Sequence, residues 1–227
     1  MSEQYLEKAA VVIPTRNEEA TIADTVRQVK AVAPHVYVID GNSTDRTCEI
    51  AAQAGVQVIH QQSKGKGSAL REALSSIDKE IIVFIDADGS HEAADIPKLV
   101  APIISGKADM VVASRYLGGS DELHGTWHNF VRMVGSSLIT LGINYRWSVQ
   151  LTDVENGFRA VKRSVALSLG LKANDFTIEQ EMVLKAVKKG YSVVEVASHE
   201  YERKGGESKL PTSQGWKFIL EFLIDIW

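Results

Sequence analysis

The sequence predicts an α/β fold in which a mostly parallel, Rossmann-like central sheet is flanked by helices. Short apolar runs rich in β-branched residues alternate with longer amphipathic segments, which is the pattern of βαβ units. Some of these runs lack polar alternation, as expected of strands covered on both faces. Polar clusters follow the runs, and in a parallel sheet such clusters gather at one edge. A length of 227 residues suits one domain of this kind.

The first half of the chain shows the alternation most clearly. Strands are predicted at residues 11–13, 36–39, 56–59 and 81–85. Between them, helices are predicted from Thr15 to about Val32, from Thr44 onward with Ser43 or Thr44 as N-cap, and over residues 68–77. The polar clusters at residues 14–18, 40–43, 64–67 and 86–90 follow these strands, so we expect them to line one edge of the sheet.

The second half continues the pattern with less regular spacing. Helices are predicted over residues 94–104, 127–145 and 176–189, strands over residues 110–112 and 193–196, and a further unit from residue 153. The helix at 127–145 carries a broad apolar face, for which packing in the core is favoured over contact with lipid.

Composition argues against several classes of protein. The formal net charge of −4 argues against a nucleic-acid-binding protein that relies on positive charge. The single cysteine, Cys48, excludes an internal disulfide framework and suits a reducing cytosol. Because there is no signal-peptide pattern and no apolar run of about 20 residues, any membrane contact is expected to be peripheral. The phosphate-loop and dinucleotide-binding glycine patterns are missing after the first strand, which weakens ATPase and dehydrogenase interpretations.

The apolar run at residues 81–85 ends abruptly at Asp86 and Asp88. Two carboxylates at this spacing, beyond the carboxyl end of a buried strand, can point at one divalent ion. Oxygen ligands of this kind suit Mg²⁺ or Mn²⁺, which also bind substrate phosphates. The alternative is an ordinary strand-to-loop turn, where aspartate and glycine are common. His91 follows this motif and is expected to be a surface residue rather than a ligand.

Sequence motifs of one known family recur along the chain. They are IPTRNE at residues 13–18, IDGNSTD at 39–45, DADGSH at 86–91, SRY at 114–116, DVENGFR at 153–159 and GESKL at 206–210. Together they resemble the family 2 glycosyltransferases of the GT-A fold, and most of all the dolichyl-phosphate (polyprenyl-phosphate) mannose synthase group. The last motif, which follows Arg203 and Lys204, is the most selective for that group, and the resemblance covers nearly the whole chain.

This resemblance implies an inverting transferase that moves a hexose from a nucleotide diphosphate sugar, with GDP-mannose favoured, to a polyprenyl or dolichyl phosphate. The acceptor, a phosphate monoester, is largely anionic at neutral pH, so no strong general base is required. The expected product is a β-linked polyprenyl-phosphate sugar made from an α-linked donor.

The resemblance also implies roles for individual residues. Nucleoside contacts would come from Pro14, Arg16, Glu18 and Asp40, and further nucleotide contacts from Asp86 and Ala87. Asp88 would hold the metal ion, Mg²⁺ or Mn²⁺, that bridges the diphosphate. Phosphate charge would be collected by Arg115, Arg132, Arg203 and Lys209, and the predicted catalytic residues are Asp88, Arg115 and Arg203. For Arg115 and Arg203, the alternative is an ordinary salt bridge.

Some positions leave alternatives open. Asp153 either orients the acceptor or a loop, or it caps the turn before Gly157. Gly41 stands where many relatives carry a second aspartate, and Ser90 where some carry glutamine near the metal. The base and sugar of the donor are therefore open, with UDP-glucose or UDP-N-acetylglucosamine as alternatives to GDP-mannose. A soluble acceptor and a non-catalytic nucleotide-sugar-binding module are the rival functions.

The domain organisation expected is a single GT-A domain over residues 1–213 and an amphipathic C-terminal helix over residues 214–227. The C-terminal segment is apolar, with Trp216 and Trp227 near its ends, so it either lies at a membrane interface or docks on the domain. We expect a cytoplasmic protein held at the cytoplasmic face of a membrane by this helix and the helix from Trp127. A membrane-anchored protein partner or a homo-oligomer is a further expectation.

Overall fold

A computed structural model of the chain describes residues 5–121, 127–205 and 215–225. The strands are β1 (Ala9–Thr15), β2 (Val36–Asp40), β3 (Gln57–His60), β4 (Ile81–Phe84), β5 (Met110–Ser114), β6 (Arg159–Lys162) and β7 (Val193–Ala197). The α-helices are α1 (Ile22–Lys30), α2 (Thr47–Gln53), α3 (Lys66–Ser76), α4 (Ile96–Ile104), α5 (Arg115–Gly118), α6 (Trp127–Trp147), α7 (Arg163–Ser168), α8 (Ile178–Lys188) and α9 (Gly215–Asp225).

The strands form one seven-stranded sheet in the order β3-β2-β1-β4-β6-β5-β7. Neighbouring strands are parallel except around β6, which runs antiparallel to both β4 and β5. The prediction of a mostly parallel sheet with flanking helices is therefore confirmed. The strand β6 itself was not predicted, since the sequence indicated only that a further unit begins near residue 153.

The first helix begins later than the sequence predicts. Strand β1 continues to Thr15, whose carbonyl accepts a hydrogen bond from Gly41 N at 2.8 Å. Asn17 has a φ of 52°, which lies outside the right-handed helical region. Because of these constraints the chain forms a loop until α1 starts at Ile22.

The second helix is also shorter than predicted, beginning at Thr47 with Arg46 as its N-cap. The predicted caps have other roles. Ser43 accepts a hydrogen bond from Asn17 N at 2.9 Å, and Thr44 N donates to Asn17 Oδ1 at 2.8 Å. These bonds join the loop after β1 to the loop after β2 instead of starting a helix.

Apolar cores lie on both faces of the sheet. On one face, Val11, Ile13, Val83 and Val111 pack with buried residues of α1 and α4. On the other face, the alternate strand residues pack with α3, α6, α8 and α9. The helices therefore cover the sheet from both sides and leave its strand ends as the accessible edge.

Helices α6 and α9 each bury one face and expose another. Ile139 and Ile143 of α6 and Phe218 of α9 are buried, and Gln180 Nε2 donates to the Phe218 carbonyl at 2.9 Å. Leu138 and Leu141, by contrast, are each 63% exposed. Core packing, the interpretation favoured for the 127–145 helix, is thus correct for only part of its apolar surface. Within the residues that the structure describes, no helix is long and apolar enough to cross a membrane.

Candidate active site

The predicted polar clusters meet at one edge of the sheet. The parallel strands β1, β2 and β4 all end there, and a backbone hydrogen bond from Gly41 N to the Thr15 carbonyl joins the ends of β2 and β1. Because β6 runs in the opposite direction, its first residue, Arg159, reaches the same edge and pairs with Phe84, the last residue of β4. Residues 153–158 therefore approach the loop of Asp86 and Asp88.

Asp40, at the end of β2, lies in a buried polar pocket. Ser43 N donates to both of its carboxylate oxygens at 3.2 Å, and His60 Nδ1 lies 3.4 Å from Oδ2. Burial acts to raise the pKa of Asp40, but hydrogen bonds from Ser43, Cys48 and His60 outweigh it and leave the pKa below its usual value. Asp40 is thus an ionised acceptor at neutral pH.

Cys48 lies beside Asp40. Burial and the neighbouring Asp40 raise the pKa of the Cys48 thiol to about 11, so it is protonated at neutral pH. Ligand atoms of Asp40, Cys48 and His60 lie within 4.8 Å of one another, the one such group of potential metal ligands in the described part of the chain. Its sulfur and nitrogen donors suit softer ions than Mg²⁺.

The other predicted nucleoside contacts surround this pocket. Pro14 pairs with Ile39 across β1 and β2 and is half-buried, Glu18 is half-buried, and Arg16 is exposed. Glu18 N donates to Thr47 Oγ1 at 2.8 Å. The structure therefore brings Pro14, Arg16 and Glu18 to the loops that border Asp40.

Asp86 is held by a lysine that the sequence did not single out as a site residue. Lys66 Nζ lies 2.6 Å from Asp86 Oδ1 and 2.8 Å from Glu179 Oε1 of α8. Burial acts to raise the pKa of Asp86, but the charge of Lys66 and the hydrogen bond with His91 outweigh it and hold the pKa far below its usual value. Lys66 stays protonated because these two carboxylates raise its pKa despite burial.

The loop before β6 packs tightly against this ion pair. A Cβ atom on Gly157 would lie 2.7 Å from Asp86 Oδ2 and 2.9 Å from Lys66 Nζ, so a larger residue here would displace the ion pair. The fully buried Arg159 fixes the loop by donating to the carbonyls of Val154, Asn156 and Glu179. Burial lowers the pKa of Arg159.

His91 differs from its sequence-based expectation. It is buried, stacks on Phe158 at 5.2 Å between ring centroids, and lies 3.8 Å from Asp86 Oδ2. Ala87 is also buried, and its carbonyl accepts from Thr25 Oγ1 at 3.1 Å. The prediction that His91 is a surface residue is therefore wrong, because the adjacent loops close over it.

Asp88 differs from Asp86 in its partners. Its Oδ1 atom accepts from Ser90 N at 3.1 Å and from Ser90 Oγ at 2.7 Å. Its Oδ2 atom faces Arg203 Nη1 at 3.4 Å. One oxygen is thus fixed by neutral donors, while the other already faces a cation. A hard carboxylate oxygen in this setting fits a divalent ion such as Mg²⁺ or Mn²⁺.

Arg115, predicted to act in catalysis, is engaged by carboxylates. Its Nε and Nη2 atoms donate to Asp153 at 2.6 and 2.9 Å, and Nη1 lies 3.6 Å from Glu200. Asp153 is fully buried; burial acts to raise its pKa, but Arg115 outweighs burial and leaves the pKa lowered. Asp153 N also donates to Glu195 at 2.6 Å. Arg115 therefore forms the salt bridges that were the alternative to a catalytic role. The catalytic role of Arg115 stays a prediction.

Two predicted site residues cannot be placed. The side chain of Arg132, in α6, and the whole of Lys209, with the motif at 206–210, lie outside what the structure describes. The residues that sequence reasoning missed are Lys66, Glu179, Arg159 and Glu200. Two of them carried a signal: Lys66 lies in the polar cluster that follows β3, and Arg159 is the last residue of the motif at 153–159.

Comparison with known proteins agrees with this arrangement. A family model described as glycosyl transferase family 2 matches residues 10–170. The polyprenol monophosphomannose synthase of Mycolicibacterium smegmatis is 30% identical over 227 residues, which cover 91% of this chain and 82% of that protein. The glycosyltransferase AglJ of Haloferax volcanii is 34% identical over 198 residues, covering 86% of this chain. The chain spans 64% of the length of AglJ, which is less than two thirds.

A solved structure shares the fold. Glucosyl-3-phosphoglycerate synthase from Mycobacterium tuberculosis, in complex with Mn²⁺, uridine diphosphate and glucosyl-3-phosphoglycerate, matches with a TM-score of 0.79 and 20% identity. The match covers 99% of this chain and 82% of that one. At this identity the likeness establishes the GT-A fold, as expected from the sequence. From the family model and the relatives together, the chain belongs to glycosyl transferase family 2.

Proposed function

We propose that the protein transfers a hexose, with inversion, from a nucleotide diphosphate sugar to a polyprenyl or dolichyl phosphate at a membrane surface. GDP-mannose is the favoured donor, because the chain is similar to a polyprenol monophosphomannose synthase over most of both lengths. The observation that carries the membrane part of this proposal is the exposed apolar face of α6 and α9. Through this apolar face the protein would bind the cytoplasmic face of a membrane. It would do so alone, together with a membrane-anchored partner protein, or as a homo-oligomer.

The two helices form a joint apolar surface. A Cβ atom on Gly142 of α6 would lie 2.4 Å from Phe222 of α9, so the helices are in close contact. The large apolar side chains that remain exposed on them are Val134, Leu138, Leu141, Tyr145, Ile219, Leu220, Leu223 and Ile224. Several exposed large apolar side chains on two touching helices are typical of a membrane or partner contact. An interfacial helix pair would hold the enzyme beside a lipid acceptor.

The donor would bind along the edge of the sheet. Asp40, ionised in its pocket, would accept hydrogen bonds from the base, with Pro14, Arg16 and Glu18 around the nucleoside. Asp86, held in place by Lys66, and Ala87 would bind the rest of the nucleotide. Asp88 would hold Mg²⁺ or Mn²⁺, which when bound neutralises charge that develops on the leaving diphosphate.

The acceptor would need cations rather than a base. Its phosphate oxygen is already anionic and would attack the anomeric carbon in line with the departing diphosphate. Arg203, and outside the described residues Lys209, would balance phosphate charge, since guanidinium groups bind phosphate oxygens in pairs. Arg132 is assigned the same role. Asp153 would act on the acceptor side by orienting Arg115.

A direct test follows the labelled sugar. Purified protein is given Mn²⁺, a short-chain polyprenyl phosphate and a panel of labelled nucleotide sugars. We expect organic-soluble product, most from GDP-mannose, with the β anomer formed from the α-linked donor. Product found only in the aqueous phase, or retention of the α configuration, would contradict the proposal.

A soluble acceptor is the second candidate function. The glucosyl-3-phosphoglycerate synthase that shares this fold is described in complex with a soluble phosphorylated compound. In both candidate functions the donor would bind at the same edge of the sheet. UDP-glucose or UDP-N-acetylglucosamine would be the alternative donors to GDP-mannose. The apolar face of α6 and α9 favours the lipid acceptor, because a soluble acceptor gives that face no role.

Glutamate at two positions of the apolar face should release the protein from membranes. We expect the double variant Leu138→Glu, Leu223→Glu to bind vesicles of phosphatidylcholine and phosphatidylglycerol roughly tenfold or more weakly than wild type, because two leucines lose their lipid contacts. Co-sedimentation with the vesicles measures the bound fraction. The control is Leu167→Glu, on α7, where an exposed leucine lies outside this face. Equal vesicle binding by the double variant and wild type would refute the membrane role.

A further inference from the structure

The segment before the GESKL motif is fastened to the loop of Asp88 by its backbone. Tyr201 N donates to the Ser90 carbonyl at 2.8 Å, and Lys204 N donates to the Asp88 carbonyl at 3.2 Å. Gly89 lies against Lys204, since a Cβ atom on Gly89 would be 3.3 Å from its side chain. Main-chain bonds on both sides of Arg203 therefore set its position beside Asp88.

The ion pair between Arg203 and Asp88 is loose. The distance of 3.4 Å exceeds the 2.7–2.9 Å usual for charge-assisted hydrogen bonds. The Asp88 side chain is 11% exposed and that of Arg203 is 32% exposed. Arg115, in contrast, donates to Asp153 at 2.6 and 2.9 Å. Of the two ion pairs, that of Arg203 with Asp88 is the longer and the more exposed, so it is the easier one to exchange.

We infer that Arg203 is the exchangeable counter-cation of Asp88: it neutralises the carboxylate while no metal ion is bound and moves to the diphosphate when the metal–nucleotide complex binds. The inference rests on the proposed function, because it takes Asp88 as the metal ligand. Its physical basis is that a guanidinium and a divalent ion at one carboxylate oxygen repel each other strongly at such short distances. Arg203 must therefore leave Oδ2 for the ion to approach it.

This exchange couples metal binding to nucleotide binding. Without a nucleotide, Arg203 competes with the ion for Asp88 and lowers its affinity. With a nucleotide, the diphosphate offers Arg203 another anion, so the competition disappears and Arg203 adds to binding. Because coupling between two ligands is reciprocal, the ion and the nucleotide each strengthen the binding of the other.

The test is Mn²⁺ affinity, measured by the electron paramagnetic resonance signal of the free ion. We expect Arg203→Ala to bind Mn²⁺ roughly three- to tenfold more tightly than wild type without nucleotide, the size expected when a partly exposed ion pair is lost. With saturating GDP or UDP, the same variant should bind Mn²⁺ no more tightly than wild type. Arg203→Lys, which keeps a charge, should be intermediate. A folding defect in Arg203→Ala cannot mimic this result, because loss of structure would weaken Mn²⁺ binding and not strengthen it.

Two controls separate the possible failures. Arg27→Ala removes an exposed arginine paired with Asp24 at 2.6 Å and should leave Mn²⁺ affinity unchanged, which excludes a general effect of net charge. Asp88→Asn should lose Mn²⁺ binding. If Asp88→Asn binds Mn²⁺ as wild type does, the proposed metal site and the exchange both fail. If only Asp88→Asn behaves as expected, and Arg203→Ala binds Mn²⁺ no more tightly than wild type, the metal site stands and the exchange is wrong.

Discussion

Asp88→Asn should lower the rate of sugar transfer by roughly a thousandfold or more, the scale on which charge stabilisation of a leaving group is lost. The substitution keeps the size of the side chain and the oxygen that accepts from Ser90 N, but removes the negative charge that faces Arg203. Initial rates with labelled donor and a short-chain polyprenyl phosphate measure the effect.

The matched control is Asp24→Asn, which removes a carboxylate from an exposed pair on α1 and should leave the rate within about twofold of wild type. Circular dichroism checks that both variants fold. Full activity in Asp88→Asn would exclude the metal-dependent mechanism. A non-catalytic binding module would instead give no transfer with the wild-type protein, and its donor binding would persist in Asp88→Asn.

Lys66→Met should give the largest loss of stability, about 3 kcal/mol or more in the free energy of unfolding. Lys66 is the cation between Asp86 and the buried Glu179, and removing one member of a buried pair leaves uncompensated charge. Urea denaturation followed by fluorescence measures the difference. Lys162→Met is the control, because Lys162 pairs with Asp109 where both are partly exposed, and should cost about 1 kcal/mol or less.

The effect of Lys66→Met should also depend on pH. In the folded wild type the pKa of Asp86 is held below its unfolded value, so its contribution to stability is present above the unfolded pKa and is lost as pH falls through the folded pKa. Without Lys66, burial moves the pKa of Asp86 upward. The free-energy difference between wild type and variant should therefore be larger at about pH 7.5 than at about pH 4.5. A difference independent of pH would show that lost packing, rather than charge, causes the destabilisation.

The convergence of the polar clusters could be predicted from the sequence, because parallel strands force their carboxyl ends to one edge. The antiparallel strand β6 could not. Its four residues, Arg159–Lys162, include a buried arginine, so they lack the apolar run by which the other central strands were recognised. Only its pairing with β4 and β5 makes it a strand.

The ion pairs of the site also could not be predicted from local sequence patterns. Glu179, which shares Lys66 with Asp86, lies on α8 far along the chain, and no spacing rule links them. The same holds for Glu200 beside Arg115. The helices α6 and α9 show a different limit: their apolar residues were recognised, but periodicity alone did not tell which of them meet the core and which remain exposed.

Because β6 lies between β4 and β5 in the sheet, β5 cannot join the sheet until β6 has been synthesised. Strand β5 pairs with β6 and β7 and with no other strand of the sheet, so its mostly apolar residues, Met110–Ser114, have no hydrogen-bonded neighbouring strand until the ribosome has added residues 159–162. At translation rates of roughly 5–20 residues per second, that interval lasts several seconds. Nascent chains of intermediate length should therefore be the species most dependent on chaperones, and slower translation between β5 and β6 should increase aggregation.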